Sequence, residues 1–228
     1  MSSSTTIPLL EHWRTAPSTD TLRSRYDASA HHWHENLARL GQLHDYQLLF
    51  ESQAVRDRLN HLDPTSHILD CGMGTGAFSL ALLDSIEQPA HISGVDISYP
   101  MLTHARQILS DRCATLDLRW GNIRRLPFAD ASFDAVIFAH VLEHMADPVA
   151  TLREMVRVLK PGAPLVGSVT RQGLGQVLMA MRWHNRGYTY HQLDAFLQAA
   201  GLEAAKPFDY GTGWSKWTCI AVIGRKSG

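Results

Sequence analysis

From about residue 64 onward, short apolar runs alternate with segments whose apolar residues recur at helical spacing, the pattern that builds a parallel sheet covered by helices on both faces. The strand-like runs lie at 67–70, 91–96, 116–120, 133–139 and 164–169, and helical patterns fill 78–86, 99–112 and 148–159. The run at 133–139, Phe-Asp-Ala-Val-Ile-Phe-Ala, is the most apolar and is expected as the central fourth strand. Lys160-Pro161-Gly162 stops the helix before the fifth strand, because proline cannot continue the hydrogen bonding and glycine tolerates the turn. The C-terminal pattern changes: a helix over about 189–200 ends at Gly201, and β-like runs at about 203–210 and 217–224 are joined by Gly211, Thr212 and Gly213. That spacing predicts an antiparallel hairpin.

Before residue 64 no run reads as a strand. Leu37, Leu40, Leu48, Leu49, Val55, Leu59 and Leu62 instead recur at three- and four-residue intervals, which predicts two helices within about 25–62. The expected division is a helical appendage over 1–63 and an α/β unit over 64–228. The expected fold is a Rossmann-like, seven-stranded, mostly parallel sheet with helices on both faces and a C-terminal antiparallel hairpin.

With 228 residues and 45% apolar content the chain can bury one substantial core. A formal net charge of -1 and the lack of a Lys/Arg stripe exclude general phosphate-backbone attraction, so a small solute is the expected partner and nucleic acid is not. Three scattered cysteines suit neither a disulfide framework nor a zinc ribbon and suggest a reducing cytosol. The start, Met-Ser-Ser-Ser-Thr-Thr, shows no export signal, and no later run has the length to cross a bilayer. A cytoplasmic protein without membrane contact, monomeric or homodimeric, is expected.

The chemistry is concentrated at 68–76, Ile-Leu-Asp-Cys-Gly-Met-Gly-Thr-Gly, where an apolar strand runs into a glycine-rich turn. Asp96 closes the next strand, twenty positions after Gly76, where an acid can accept from ribose hydroxyls. Nicotinamide and S-adenosylmethionine enzymes share such a turn. Asp70 separates them: a carboxylate at the end of the first strand repels a pyrophosphate and welcomes a cationic amino acid. Gly121-Asn122-Ile123, the segment from Leu126 to Asp134, Val141-Leu142-Glu143-His144 and Val158-Leu159-Lys160-Pro161-Gly162 follow in order.

In these motifs, over roughly 64–165, the chain resembles the class I S-adenosylmethionine-dependent methyltransferases, in particular the branch of ubiquinone and menaquinone biosynthesis. The resemblance implies S-adenosyl-L-methionine as cofactor, with Gly72 and Gly74 against its amino acid moiety and Asp70 near the ammonium. It implies Asp96 on the ribose, Ile97 and Met101 packed on the adenine, and Asn122 and Ile123 at the adenine edge. Many relatives carry Asp where this chain has Asn122, whose amide can still accept and also donate. The resemblance places His140 where both the methionine moiety and the acceptor are touched, and makes the N-terminal helices a lid carrying a Tyr-Asp-x-x-Ala segment, here Tyr26-Asp27-Ala28-Ser29-Ala30.

Methyl transfer from a sulfonium is an in-line displacement that needs alignment and exclusion of water, and a base only for a hydroxyl or protonated amine. His140 is the first candidate for that base, with simple cofactor contact as the equal alternative, and Tyr26 joins it as a catalytic candidate. Trp33 and His34 are candidates for the acceptor wall, aromatic faces being suited to a sulfonium; singly, each histidine of this cluster reads as a solvated helix face. Arg182, Tyr188 and Tyr190, from a polar crowd at 182–191, are candidates for the opposite wall, through carboxylate binding by Arg. His140, Glu143 and His144 fall at i, i+3 and i+4, but no fourth ligand can be named and no metal is expected. The expected activity is methylation of a small metabolite. Cyclisation of the cofactor with release of methylthioadenosine and a non-catalytic cofactor-binding partner subunit are the alternatives.

Overall fold

The computed structural model describes residues 17–86, 90–173, 186–211 and 215–228. Its sheet has seven strands: β1 (His67–Cys71), β2 (His91–Asp96), β3 (Thr115–Trp120), β4 (Ala135–Ala139), β5 (Pro164–Thr170), β6 (Leu202–Phe208) and β7 (Cys219–Lys226), in the order β3-β2-β1-β4-β5-β7-β6. The first five pair in parallel, and β7 runs antiparallel to both β5 and β6. The fold is the expected Rossmann-like one, with β4 in the middle of the sheet. β4 starts two residues later than its apolar run, because Phe133 makes only an isolated bridge to Leu159.

Neighbouring residues of the central strands enter different cores, as strand pleating requires. Leu69, Val136, Leu165 and Val222 pack with Leu152 and Met155 of α6 (Pro148–Val158) and Leu193 and Leu197 of α7 (Tyr190–Ala199). Ile68, Ile137, Val166 and Ala221 pack on the other face with residues of helices from the first half of the chain. Among those are Leu82 of α4 (Ala77–Ser85) and Leu109 of α5 (Tyr99–Leu109). This second face also takes in Leu49, Phe50 and Val55 from the N-terminal part.

That part differs from expectation. Three helices form where two are predicted, α1 (Thr19–Arg39), α2 (Gln42–Glu51) and α3 (Gln53–Leu59), and the first begins well before residue 25. Ser18 supplies the missed start: its hydroxyl accepts from Thr21 N at 3.2 Å, a cap that satisfies one of the free amides of the first turn. Gly41, at φ 72°, separates α1 from α2, and the extended backbone of Ser52 separates α2 from α3. At the C-terminus, β6 and β7 are antiparallel as expected, but a short helix α8 (Ser215–Thr218) leads directly into β7. Among the described residues no helix is long and apolar enough to cross a membrane.

Candidate functional site

The C-terminal ends of β1, β2 and β4 open into a cavity of about 790 Å³, at the point where the chain winds away from β1 in both directions. Crevices at such switch points are where α/β sheets bind ligands. One wall is the loop after β1. Gly72, Gly74 and Gly76 have φ of 73°, 55° and 80°. A Cβ on Gly72 would stand 2.2 Å from Val141 Cγ1, whereas one on Gly74 would meet nothing nearer than Trp33 Nε1 at 4.0 Å. Gly72 is therefore needed for packing as well as for its backbone, and Gly74 leaves bare peptide facing the cavity.

Asp96 fixes this loop. Gly74 N donates to its Oδ2 at 2.8 Å and Ser98 N to its Oδ1 at 2.8 Å. Burial raises its pKa to about 6, against those amide bonds and with help from Asp27. Asp27 of α1 accepts from Ser98 Oγ at 2.6 Å, so the N-terminal helix is tied to the acid at the tip of β2. Asp70 lies beneath the loop and does not line the cavity. Ser79 Oγ donates to its Oδ2 at 2.7 Å, and its Oδ1 has no partner among the described residues. Burial, opposed by Ser79 and reinforced by Asp96, lifts its pKa to about 7.

Ile97, Asn122 and Ile123 line the cavity beyond Asp96. The Asn122 side-chain oxygen already accepts from Arg124 N at 3.0 Å and Arg124 Nε at 3.2 Å, which leaves its amide NH₂, rather than the oxygen, for a ligand. Met101 departs from expectation. It is fully buried inside the first turns of α5 and presents no surface to the cavity.

The opposite wall is assembled from distant parts of the chain. His140 follows β4 with φ 55°, a left-handed backbone uncommon for a residue with a Cβ, held by His140 N donating to Ser168 O at 2.8 Å. Its Nδ1 is 3.0 Å from Glu143 Oε1 and 3.2 Å from Thr170 Oγ1, and its Nε2 is 2.7 Å from the Gln42 side-chain amide nitrogen. The turn Leu142–His144 brings Glu143 back under the ring, where its carboxylate is fully buried and accepts from Thr170 N at 2.5 Å. Burial opposes charge on His140 and is outweighed by the Cys219 sulfur and the Glu143 carboxylate, which hold its pKa above the usual histidine value. Burial likewise opposes charge on Glu143, and the His140 hydrogen bond outweighs it, so the carboxyl stays below its ordinary value.

His144 turns away from this pair. Its Nε2 is 2.9 Å from the Tyr26 hydroxyl, and burial lowers its pKa to about 4, so it faces Tyr26 as a neutral ring. Burial raises the Tyr26 pKa as well, with Asp96 and Glu143 adding to it, so Tyr26 keeps its proton and is a donor, not a base. His140, Glu143 and His144 therefore do not share one face, and among the described residues no group of three or more His, Cys, Asp or Glu side chains is placed to hold a metal ion. Tyr26 packs edge-on against Trp33 with ring centroids 5.4 Å apart, and both line the cavity.

Three candidates from the sequence are not brought into this wall. His34, one position along α1 from Trp33, is rotated by a helical step out of the cavity. Burial, and then His104 of α5, lower its pKa. Tyr188 is buried in the core with its hydroxyl donating to Leu142 O at 2.7 Å, and Tyr190 bonds to Arg171 and Asp209 away from the cavity. Arg182 lies outside the described residues. Gln42, which the helical pattern did not single out, fills the vacant place beside His140.

Residues 69–167 match the family described as a methyltransferase domain. Among curated relatives, a demethylmenaquinone methyltransferase from Lactiplantibacillus plantarum is 36% identical over 152 residues, covering 57% of this chain and 64% of the relative. The chain thus spans somewhat less than two thirds of that relative's length. Among solved structures, the (4+2)-cyclase SpnF has a TM-score of 0.69 at 20% identity, over 93% of this chain and 98% of that one. Phosphoethanolamine N-methyltransferase 2 from Haemonchus contortus, in complex with S-adenosyl-L-methionine, has a TM-score of 0.63 at 13% identity, over 85% and 60% of the two chains. At such identities the likeness is one of fold.

Proposed function

We propose that this chain is a class I S-adenosylmethionine-dependent methyltransferase that binds S-adenosyl-L-methionine against the Gly72–Gly76 loop and methylates a small-molecule acceptor held between that cofactor and His140. One observation carries this proposal: a single cavity has the bare peptide of Gly74 and the buried acid Asp96 on one wall and His140, Tyr26 and Trp33 on the other. The residues suit the cofactor. Asp70 keeps a buried carboxylate oxygen without a partner among the described residues, just below the loop, which is a place for the influence of a cation. Asp96 uses its oxygens on two backbone amides and retains lone pairs toward the cavity for a ribose.

When bound, the cofactor supplies a methyl group made electrophilic by the sulfonium. The protein's own contribution is positional. Ile97 and Ile123 give apolar surface for an adenine and Asn122 offers its amide NH₂. Tyr26 and Trp33 line the cavity and would supply aromatic surface to a cationic sulfur. Leu22, Leu37 and Met145 line the rest of the cavity and exclude water. The N-terminal helices α1 to α3 act as a cap over the α/β unit, tied down by the Asp27 contact to Ser98.

A volume of about 790 Å³ lies in the upper part of the range for small-molecule sites, and the lining takes in Arg39 and Leu40 as well as His140 and the glycine loop. This extra reach favours an acceptor beside the cofactor over an attack of the cofactor on itself. The test is mass spectrometry of products after incubating purified protein with S-adenosylmethionine alone, with a metabolite extract, and with demethylmenaquinone. S-adenosylhomocysteine that appears only with an acceptor is the expected result. Methylthioadenosine from cofactor alone would replace methylation by cyclisation, and neither product despite bound cofactor would make the chain a binding partner.

A further inference from the structure

We infer that Glu143 is the positioning residue of His140, that Gln42 occupies the place of the acceptor's reactive group, and that this group is a hydroxyl whose proton passes to His140 Nε2. This rests on the methyl transfer proposed above and adds the class of acceptor to it. The Glu143 carboxylate is fully buried, and Oε1 receives both the Thr170 amide and His140 Nδ1 while Oε2 has no partner among the described residues. A carboxylate held by a backbone amide and aimed at Nδ1 fixes the ring's orientation and leaves the Nε2 lone pair toward the cavity. His140 holds a strained backbone, at φ 55°, and lines the cavity.

At Nε2 stands the Gln42 amide nitrogen, 2.7 Å away and donated by a helix 98 positions earlier in the chain. A hydrogen-bond donor at this point satisfies the lone pair until an acceptor O–H takes its place. The other groups facing the ring are Tyr46 from α2, with ring centroids 6.3 Å apart, Ser168 and Thr170 from β5, and Cys219 from β7. None of these is a carboxylate open to the cavity, and the exposed charges of the lining are Arg39 and Arg124 opposite the single acid Asp96. An ammonium acceptor would find no carboxylate open to the cavity beside His140, whereas a hydroxyl finds a base backed by the buried Glu143. In the step, the acceptor oxygen gives its proton to His140 Nε2 and forms a bond to the methyl carbon. The carbon–sulfur bond breaks with its electron pair left on sulfur.

Histidine-selective ¹⁵N NMR of the full chain, with and without S-adenosylhomocysteine, reads this arrangement independently of turnover. The deprotonated His140 should carry its proton on Nδ1, and Glu143→Gln should lower its titration midpoint by about one pH unit, about tenfold in proton affinity. Gln42→Ala should move the Nε2 signal and leave Nδ1 unchanged, which tests the same geometry if the Glu143 variant does not fold. 4-Nitrophenol serves as the acceptor probe: its phenolate band should rise with wild-type protein, weaken with Glu143→Gln, and strengthen with Gln42→Ala, while nitrobenzene binding should not discriminate these variants. A proton on Nε2, a His140 midpoint indifferent to Glu143→Gln in a folded protein, or no phenolate band with wild-type protein would overturn the inference. Failure of S-adenosylhomocysteine to bind while His140 behaves as stated would instead remove the cofactor proposal alone.

Discussion

The two walls of the cavity handle buried charge in opposite ways. On the cofactor wall, Asp70 and Asp96 are acids without cations, and burial raises both, to about 7 and about 6. On the facing wall, Glu143 is buried as deeply but has the His140 ring beside it, which keeps the carboxylate ionised while the carboxylate makes the ring more basic. An unpaired buried carboxylate is costly until a cation arrives, whereas a paired one is already in its working state. The first wall is poised to gain from a positively charged ligand. The second, in the mechanism proposed above, moves a proton, and Gln42 holds the His140 Nε2 position in the absence of an acceptor.

The largest expected effect separates the walls by function. His140→Ala removes the group proposed to take the proton and should lower kcat about 10²- to 10⁴-fold, the usual range for a general base. Cofactor affinity should change by no more than a few-fold, because His140 makes none of the bonds that hold the glycine loop. Single-turnover kinetics beside calorimetry measures both quantities. An equal loss in the two would reduce His140 to a cofactor contact and merge the walls into one binding surface.

Asp96→Ala should act in the reverse sense and somewhat more weakly. The substitution leaves Gly74 N and Ser98 N without their acceptor and removes the proposed partner of the ribose. Losing hydrogen bonds to a charged group costs about 1.5 to 3 kcal/mol apiece, so a weakening of S-adenosylmethionine binding by about a hundredfold or more is expected. Calorimetry checks this, with circular dichroism to confirm the fold. Near-normal affinity would remove the ribose assignment.

How much of each wall could be read in advance follows from how each is built. The cofactor wall is local: Gly72, Gly74 and Gly76 need positive φ within five residues, and Asp96 ends the next strand, so spacing alone exposes it. The strand pattern was legible for the same reason, since period and punctuation are properties of short segments. The facing wall joins Tyr26 to His144 across 118 positions and Gln42 to His140 across 98, and no local pattern encodes such a meeting. His34 and Met101 were misplaced because a shift of one helical step exchanges cavity for core or surface. Tyr188 and Tyr190 looked like ligands in a polar stretch, yet the fold spends their hydroxyls on Leu142 O and on Arg171 and Asp209. Glu143 had a legible signal in its spacing of three from His140, but only the turn Leu142–His144 shows that the pair meets while His144 departs.

The smallest effect is a proton linkage that the cofactor wall should show. A cationic ligand near Asp70 stabilises its charged form, so binding below about pH 7 must release a proton, and affinity should fall up to about tenfold for each pH unit of acidification there. Ligand-free stability should move the other way. The folded pKa of Asp70 lies above its unfolded value near 3.8, so the folded state binds the extra proton between about pH 4 and pH 7. Its contribution to stability is full below the unfolded value and is lost as pH rises through about 7, and Asp96 adds the same sign over a lower window ending near 6. Acidification from about pH 8 to about pH 5.5 should therefore strengthen the free protein through these two groups while weakening its cofactor complex. Calorimetry in buffers of different ionisation heat counts the released proton, and Asp70→Asn should remove its share and leave the remainder to Asp96. Affinity that stays flat across this range, with no buffer-dependent heat, would mean that the ammonium sits elsewhere and that the unpaired acid beneath the glycine loop serves the fold alone.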